Sequence, residues 1–397
     1  MRVVPVFVAM ILLLSGCTSA EQEQPAAPQG PRVVAYFTDW GVYGRNFQVR
    51  DVDSSGAAAK LTHLVYAFGK VTDGTCATGD AWAAYEKPYE AQNSVDGVAD
   101  VPGQGLRGTF GQLRKLKAKH PQLRVTWSFG GWTGSRGYTE AARDPVKFAR
   151  SCATLLKDSR WAGLFDGIDV DWEYPNACGL ACDESGPQAL PGLLAALRTE
   201  LGPDAVLTAA VPGDKGKLAA TDYASAARSA TWLSAMTYDF FGTGDTPGPT
   251  APHSPLTAYP GIPRETATTE TAVRELLALG VPPEKVLLGV GFYGRGWRGV
   301  AAAEPGGRAA GAADGSYDKG IEDYDVLRTT CPPTGMAGGT AYAFCRGQWW
   351  SYDTPDTIKA KMAYARSTGL GGAFAWELSG DTPDAQLVAA MAAGLGG

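Results

Sequence analysis

Histidine is rare in this chain of 397 residues, and its three copies, His63, His120 and His253, lie far apart in sequence. None of the seven cysteines forms a CxxC pair. Structural zinc sites usually draw on clustered histidine and cysteine ligands, so the sequence gives little support for a metal centre. We therefore expect a protein that carries neither a metal nor another cofactor.

Lysine and arginine form no dense cluster along the chain. There are 35 of them against 41 aspartates and glutamates, and the formal net charge at pH 7 is −6. Domains that bind nucleic acids usually carry a basic face, so the composition argues against a nucleic-acid partner.

No apolar run is long enough to cross a membrane, which takes about 20 residues. The run over 3–14 follows Arg2 and has the length of a signal-peptide core. It ends in the letters LSGC at Cys17, which resemble a bacterial lipobox, where the cysteine is lipidated and the preceding residues are removed. We therefore predict a signal peptide over 1–17 with Cys17 as the lipid anchor. Ordinary secretory cleavage is the alternative.

Residues 18–31 are polar and rich in alanine, glutamine and proline, so they cannot bury much apolar surface. We expect a disordered linker here, followed by one folded unit over 32–397. These features predict an extracellular lipoprotein of a bacterium that touches the membrane only through the lipid on Cys17.

Six cysteines remain once Cys17 is assigned to the anchor. An even number in an exported chain favours disulfides, because the compartment is oxidising. Proximity in sequence suggests the pairs Cys178–Cys182 and Cys331–Cys345, which leaves Cys76–Cys152. Spacing alone does not fix this pairing, and a zinc site built from four of the cysteines is the disfavoured alternative.

Short apolar runs alternate with amphipathic stretches along the folded unit. Eight of these runs are strand candidates, at 33–37, 61–68, 123–129, 164–172, 205–211, 232–238, 286–292 and 372–377. Alternation of eight strands with helices predicts a (β/α)8 barrel, and a doubly wound open sheet is the alternative. Pro145 after Asp144 and Pro355 after Thr354 are typical of the first turns of helices.

The segment between the seventh and eighth runs is too long for a simple crossover helix. Residues 298–350 carry their own strand and helix patterns and contain Cys331 and Cys345. We therefore predict a small α+β insertion between strand seven and helix seven of the barrel.

The fourth run ends in the letters DGIDVDWEYP, which begin at Asp166. Asp169, Asp171 and Glu173 alternate along it, so on a strand their side chains share one face and the apolar residues between them share the other. Buried acids on one face must share protons, which raises at least one pKa. Glu173 lies nearest the carboxyl end, where barrel active sites open, and is the candidate general acid. A solvated edge strand is the alternative, against which the apolar neighbours argue.

Spacing on the strand mildly favours an inverting glycosidase. Alternate residues lie about 6.6 Å apart along a strand. Retaining enzymes hold their two carboxylates about 5–5.5 Å apart, and inverting enzymes about 6.5–9.5 Å apart.

The same run resembles the DxxDxDxE signature of glycoside hydrolase family 18. Further likenesses follow in the family's order, at residues 36–40, at the SxGG motif over 128–131, at the MTYD motif over 236–239 and at Trp376. The resemblance covers most of the chain from Val33 to about Asp381. It implies chitinase activity on a (β/α)8 barrel, and the insertion resembles the chitinase insertion domain of the bacterial type A branch.

The resemblance implies substrate-assisted catalysis with retention, in place of the inversion that spacing favours. Glu173 would protonate the glycosidic oxygen, and the substrate's own N-acetyl oxygen would attack the anomeric carbon to form an oxazolinium ion. Asp171 would hold the acetamido N–H, Asp169 would share a proton with Asp171, and Tyr238 would hydrogen-bond the acetamido group. The residues with a structural role would be Asp166, Ser128 and Gly130.

The resemblance also implies a sugar-binding cleft around these acids. Trp376 would form its hydrophobic floor, and Trp40 and Trp132 are candidates for stacking on sugars, with core packing as the alternative. The other residues expected to line it are Tyr36, Phe68, Gly131, Met236, Asp239, Tyr293 and Arg295, for the last of which a surface ion pair is the alternative. The sequence after Trp132 lacks a second aromatic residue that relatives often carry, which puts one remote sugar contact in doubt.

We expect a monomer whose partner is chitin or a chitooligosaccharide. One alternative is a non-catalytic chitin-binding lectin, but such family members have lost the acid that Glu173 supplies here. Another is an endo-β-N-acetylglucosaminidase acting on N-glycans, which shares the barrel and the acid. The insertion and the tryptophan-rich cleft favour linear chitin.

Overall fold

The computed structural model describes residues 1, 30–245 and 248–396. The predicted signal peptide beyond its first residue, the lipidation site Cys17 and most of the predicted linker lie outside the described residues. Within them, no helix has both the length and the apolar character that a bilayer crossing requires.

Fifteen strands occur in the described residues. They are β1 Arg32–Thr38, β2 His63–Thr72, β3 Thr75–Ala77, β4 Arg124–Gly130, β5 Gly167–Asp171, β6 Val206–Pro212, β7 Trp232–Met236, β8 Val286–Gly291, β9 Tyr293–Arg298, β10 Gly311–Ala312, β11 Ile321–Asp323, β12 Gly335–Ala337, β13 Thr340–Cys345, β14 Gln348–Tyr352 and β15 Gly372–Trp376. Eight of them pair in parallel in the order β1-β15-β8-β7-β6-β5-β4-β2, and β2 pairs with β1 to close the ring. The predicted barrel is therefore confirmed, and the open sheet is wrong.

Eleven α-helices occur in the same residues. They are α1 Val49–Ser54, α2 Gly108–Lys119, α3 Gly137–Ala141, α4 Pro145–Leu156, α5 Ala189–Leu201, α6 Lys215–Leu218, α7 Tyr223–Ser229, α8 Thr269–Ala278, α9 Tyr324–Thr330, α10 Pro355–Ser367 and α11 Gln386–Leu395. Asp144 caps α4 and Thr354 caps α10, each accepting a hydrogen bond from a backbone N–H of the first turn. Both first-turn prolines are thus confirmed, at positions where a helix needs no donor.

The apolar residues of the barrel divide into two cores. Tyr36, Val65 and Phe374 belong to a cluster inside the ring, whereas Ile168 and Val170 belong to the large core between the ring and the helices. Since side chains alternate along a strand, β5 turns its aliphatic residues outward and leaves its acids for the interior.

An antiparallel sheet of six strands stands between β8 and α10, with strand order β10-β9-β14-β13-β12 and β11 paired to β9. It begins at Tyr293, five residues before the predicted boundary of 298, because the chain leaving β8 passes through Phe292 directly into β9. The predicted insertion lies between strand seven and helix seven as expected. This arrangement places Tyr293 and Arg295 on the inserted sheet.

Three disulfides cross-link the described part of the chain. They are the two pairs that sequence proximity suggested and the pair that remained. Cys76 bonds Cys152, Cys178 bonds Cys182, and Cys331 bonds Cys345. The first ties β3 to α4, and the third joins the end of α9 to β13 within the insertion.

Candidate active site

The three acids of the fourth barrel strand converge at the carboxyl end of the ring. Asp169 and Asp171 lie on β5, whereas Glu173 lies two residues beyond the end of the strand. Asp171 and Glu173 line one cleft, and Asp169 is fully buried beneath it. The structure thus brings together the three carboxyls that the alternation along the strand predicted.

Asp169 is held by three hydroxyl donors from three other strands of the ring. Its Oδ2 accepts from Tyr36 at 2.8 Å and from Ser128 at 2.7 Å, and its Oδ1 accepts from Thr208 at 2.5 Å. Burial raises the pKa of Asp169, and these hydrogen bonds oppose the rise because they favour the charged form.

Asp171 has a different environment. Its Oδ1 is buried and has no hydrogen-bond partner among the residues that the structure describes. Burial raises the pKa of Asp171 well above its usual range, and the nearby charges of Glu173 and Asp169 raise it further. The carboxyl of Asp171 therefore tends to hold a proton or to accept a hydrogen bond from a bound molecule.

Glu173 is anchored through its backbone, since its N–H donates to the Ser135 hydroxyl at 2.8 Å. Burial raises the pKa of Glu173 to about 7, with a contribution from the charge of Asp239, while Tyr174 and Lys217 act in the opposite direction. A carboxyl with this pKa can both give up and take back a proton near neutral pH.

Two glycines at the end of β4 let the neighbouring strands approach. Gly130 and Gly131 have φ of 105° and 78°, a region that favours glycine. A Cβ on Gly130 would lie 2.2 Å from the Asp171 carbonyl oxygen, and one on Gly131 would lie 2.6 Å from the ring of Phe68. The Gly131 N–H donates to the same Asp171 oxygen at 2.8 Å. These two glycines fix the position of Asp171 along the barrel axis.

Asp239 follows β7 in a left-handed conformation with φ of 57°. Arg295 of the inserted sheet grips it with two hydrogen bonds, at 2.7 and 2.5 Å. Burial alone would raise the pKa of Asp239, but Arg295 more than offsets this and holds it well below its usual range. The carboxylate is therefore charged near neutral pH and is paired with Arg295.

Aromatic rings form the opposite side of the cleft. Trp376 lies 5.3 Å from Tyr36, 5.7 Å from Phe68 and 6.1 Å from Trp40, measured between ring centroids. Trp40 and Trp132 are 43% and 47% exposed, so neither belongs to the core. The cleft has a volume of about 880 Å³.

Most of the predicted site residues line this cleft. They are Tyr36, Trp40, Phe68, Trp132, Asp171, Glu173, Met236, Tyr238, Asp239, Tyr293, Arg295 and Trp376. Gly131 does not line the cleft and instead supports Asp171 and Phe68, as described above. Asp166 lies at the start of β5, where it binds Lys117 at 2.7 Å and Arg124 at 3.1 Å.

Several residues of the site carry no signal in the sequence. Ser135 holds the backbone of Glu173, Lys217 and Tyr174 line the wall beside it, and Arg45 joins the barrel to Asp323 of the inserted sheet. Each contact links residues from distant parts of the chain or depends on local loop geometry, so no spacing rule predicts it. Within the described part of the chain, no cluster of three or more histidine, cysteine, aspartate or glutamate side chains could hold a metal ion.

The chain resembles a known protein family, two curated proteins and a solved structure. The model of the family Glycosyl hydrolases family 18 matches residues 32–381. Chitinase C of Streptomyces lividans is 56% identical over 353 residues, which are 88% of this chain and 57% of that protein. Chitinase 63 of Streptomyces plicatus is 53% identical over 383 residues, which are 95% of this chain and 63% of that protein. The chain thus spans less than two thirds of the length of these two curated relatives.

A solved structure with a similar fold is the catalytic domain of the psychrophilic chitinase B from Arthrobacter TAD20. It superposes with a TM-score of 0.87 at 37% identity, and the match covers 92% of this chain and 95% of that one. The family match spans most of the chain. The chain therefore belongs to glycosyl hydrolases family 18.

Proposed function

We propose that the protein is a chitinase that cleaves β-1,4-linked N-acetylglucosamine polymers or oligomers with retention of configuration. The observation that carries this proposal is the contrast between two neighbouring acids. Asp171 has a buried carboxylate oxygen without a partner in the described residues, and beside it the pKa of Glu173 is raised to about 7. Such a pair can bind an amide N–H and protonate an adjacent glycosidic oxygen.

The reaction begins when Glu173 gives its proton to the glycosidic oxygen and the bond to the anomeric carbon breaks. The acetamido oxygen of the same sugar attacks that carbon from the opposite face and forms a cyclic oxazolinium ion. Asp171 accepts the acetamido N–H and stabilises the positive ring, Asp169 shares a proton with Asp171, and Tyr238 hydrogen-bonds the acetamido group. Water, deprotonated by Glu173, then opens the ring at the anomeric carbon, so the configuration is retained.

Two further carboxylates that line the cleft are already paired, which supports the use of a substrate nucleophile. Asp239 is held by Arg295, and Asp323 is ion-paired with Arg45. A carboxylate that already accepts hydrogen bonds from a guanidinium is a poor nucleophile, because attack would break them. The acetamido group of N-acetylglucosamine fills this role and limits the substrate to N-acetylated sugars.

The cleft walls account for sugar binding. Trp376 forms an apolar floor for the sugar whose bond is broken, and the exposed rings of Trp40 and Trp132 offer stacking surfaces on either side. Arg295 and Tyr293 reach the cleft from the inserted sheet, which we assign to the chitinase insertion domain of the type A branch.

We also propose that the enzyme acts outside the cell. Three disulfides are typical of an oxidising compartment, and the apolar start of the chain with Cys17 fits export as a lipoprotein.

Replacement of the acid tests the proposal. Glu173→Gln should lower the rate of chitin hexaose cleavage by about 100-fold or more, since a general acid contributes about that much. Glu200→Gln, which changes a partly exposed glutamate paired with Arg150, is the matched control and should retain full activity. Unchanged cleavage by Glu173→Gln would contradict the proposal, as would wild-type protein that binds the hexaose without cutting it. Faster cleavage of a high-mannose glycoprotein than of chitin would instead favour the N-glycan enzyme.

A further inference from the structure

Three cations line the cleft, and one of them is not neutralised by an ion pair. Arg295 is paired with Asp239 and Arg45 with Asp323. For Lys217, no carboxylate of the described residues lies within 4 Å of the ammonium. Its Nζ instead lies 3.8 Å from the centroid of the Tyr174 ring. Lys217 therefore presents a positive charge to the cleft.

The position of Lys217 is set by its short helix. It lies on α6, which follows β6, and the Asp214 carboxylate caps that helix by accepting the Lys217 N–H at 3.1 Å. In the closed ring, β6 is next to β5 and four strands away from β1. Lys217 is thus beside Glu173 and across the barrel mouth from Trp40.

Lys217 lies on one side of the glycosidic bond that is broken. Trp376 follows the pattern of a floor for the sugar that is attacked, and β15 stands opposite β5 in the ring. The acid must lie between the attacked sugar and the leaving sugar. The wall formed by Glu173, Tyr174 and Lys217 therefore faces the leaving sugar.

N-Acetylglucosamine is neutral, whereas glucosamine, its deacetylated form, carries an ammonium at the same position. Two ammonium groups held close together in a partly water-excluded cleft repel each other. Glu173 offers no compensation at the decisive moment, because it must be protonated, and hence uncharged, to act as the acid.

We propose that Lys217 selects against glucosamine as the leaving sugar. In partly deacetylated chitin, the enzyme should therefore cut bonds whose leaving sugar is acetylated. This inference rests on the proposed chitinase function. The preferred substrate is then the acetylated blocks of a mixed polymer. Asp171 recognises the acetylated sugar that is attacked, and Lys217 favours an acetylated leaving sugar.

The test uses the full chain and a chitosan with acetylated and free amino units in comparable amounts. Hydrolysis in ¹⁸O-labelled water marks the new reducing ends, and sequencing of the products by mass spectrometry identifies the sugar at each new end. The wild type should leave few glucosamine units at new non-reducing ends. Lys217→Gln should raise their ratio to N-acetylglucosamine about tenfold, the size expected for removal of one close like charge. The new reducing ends should remain acetylated.

Two further variants make the result specific to charge and position. Lys217→Arg keeps the charge and should retain the wild-type ends. Lys215→Gln removes a nearby lysine that is paired with Glu275 outside the cleft, and should also retain them. The inference is overturned if Lys217→Gln and the wild type give the same non-reducing ends while both cut chitin hexaose. Wild-type protein that does not cut the hexaose would refute the chitinase proposal itself, and this inference with it.

Discussion

Asp169 and Asp171 lie two residues apart on one strand, yet only Asp169 has its carboxylate saturated by the protein. Asp169 accepts three hydroxyl hydrogen bonds, whereas a buried oxygen of Asp171 has no partner in the described residues. A buried acceptor without a donor costs free energy, so its presence at the cleft indicates an acceptor kept open for substrate. The two aspartates should therefore respond differently to replacement.

Asp171→Asn should lower kcat on chitin hexaose by about 100-fold, because the amide cannot stabilise the positive intermediate in the same way. It should leave the free energy of unfolding little changed, since the buried Oδ1 of Asp171 accepts no hydrogen bond from the described residues. Asp169→Asn should instead destabilise the fold by about 1–3 kcal/mol, because it disturbs three buried hydrogen bonds. Steady-state kinetics and urea unfolding of both variants check this. Equal loss of stability in the two would contradict the distinction.

The pH dependence of turnover follows from Glu173. A carboxyl whose pKa is raised to about 7 is protonated below that pH and ionised above it. The proton needed by the leaving oxygen is thus present on the acid side, and kcat should fall as the pH rises through about 7. A profile of kcat from acidic to alkaline pH checks this, and a kcat that keeps rising on the alkaline side would refute it.

Ser135 is a positioning residue for the acid. Its hydroxyl accepts the Glu173 N–H at 2.8 Å and donates to the Gly131 carbonyl at 2.8 Å. Ser135→Ala should lower kcat about tenfold with little change in KM, because a small displacement of the acid impairs proton transfer more than binding. Ser367→Ala removes a hydroxyl bonded to Tyr364 on an exposed helix end and should change neither value. A change confined to KM would argue against the positioning role.

A buried ion pair joins the end of the inserted sheet to the barrel. Lys361 of α10 lies 2.5 Å from Asp353, both side chains are fully buried, and Ser254 bonds both. Lys361→Met should destabilise the fold by about 3–5 kcal/mol, because the carboxylate is left buried without its partner.

The exposed neighbour Lys359 serves as the control for this pair. It lies 3.7 Å from Asp356 in a surface pair whose side chains are 55% and 94% exposed. Lys359→Met should change the free energy of unfolding by less than about 0.5 kcal/mol. Chemical denaturation measures both variants, and similar small effects in the two would show that burial does not matter here.

The sequence predicts those parts of the molecule that depend on periodicity and local order. Eight alternating runs predict the ring, and the alternation of Asp169, Asp171 and Glu173 predicts that they meet. Contacts between residues that are distant in sequence depend on the folded chain and cannot be predicted from periodicity. For Arg295 the sequence leaves open a place in the cleft or a surface ion pair and names no partner, whereas the structure places it in the cleft and pairs it with Asp239. The sequence assigns no role to Ser135. The sequence predicts Gly131 at the cleft. In the structure, Gly131 instead makes room for the Phe68 ring, because it has no side chain.

Spacing alone favours a different stereochemical outcome from the proposed mechanism. The distance between alternate strand residues favours inversion if two carboxylates share the chemistry. In the structure, Asp169 and Asp171 are buried below Glu173. Asp169 already accepts three hydrogen bonds, and Asp171 keeps a buried oxygen without a donor from the described residues. This arrangement fits a nucleophile supplied by the substrate and hence retention.

The anomeric form of the first products tests the central claim most directly. Proton NMR during cleavage of chitin hexaose distinguishes the two anomers at the new reducing end before they interconvert. Catalysis through Glu173 and the substrate's acetamido group predicts the β-anomer at the earliest time points. Initial release of the α-anomer would contradict the mechanism, since it would require direct attack by water and a different role for Asp171.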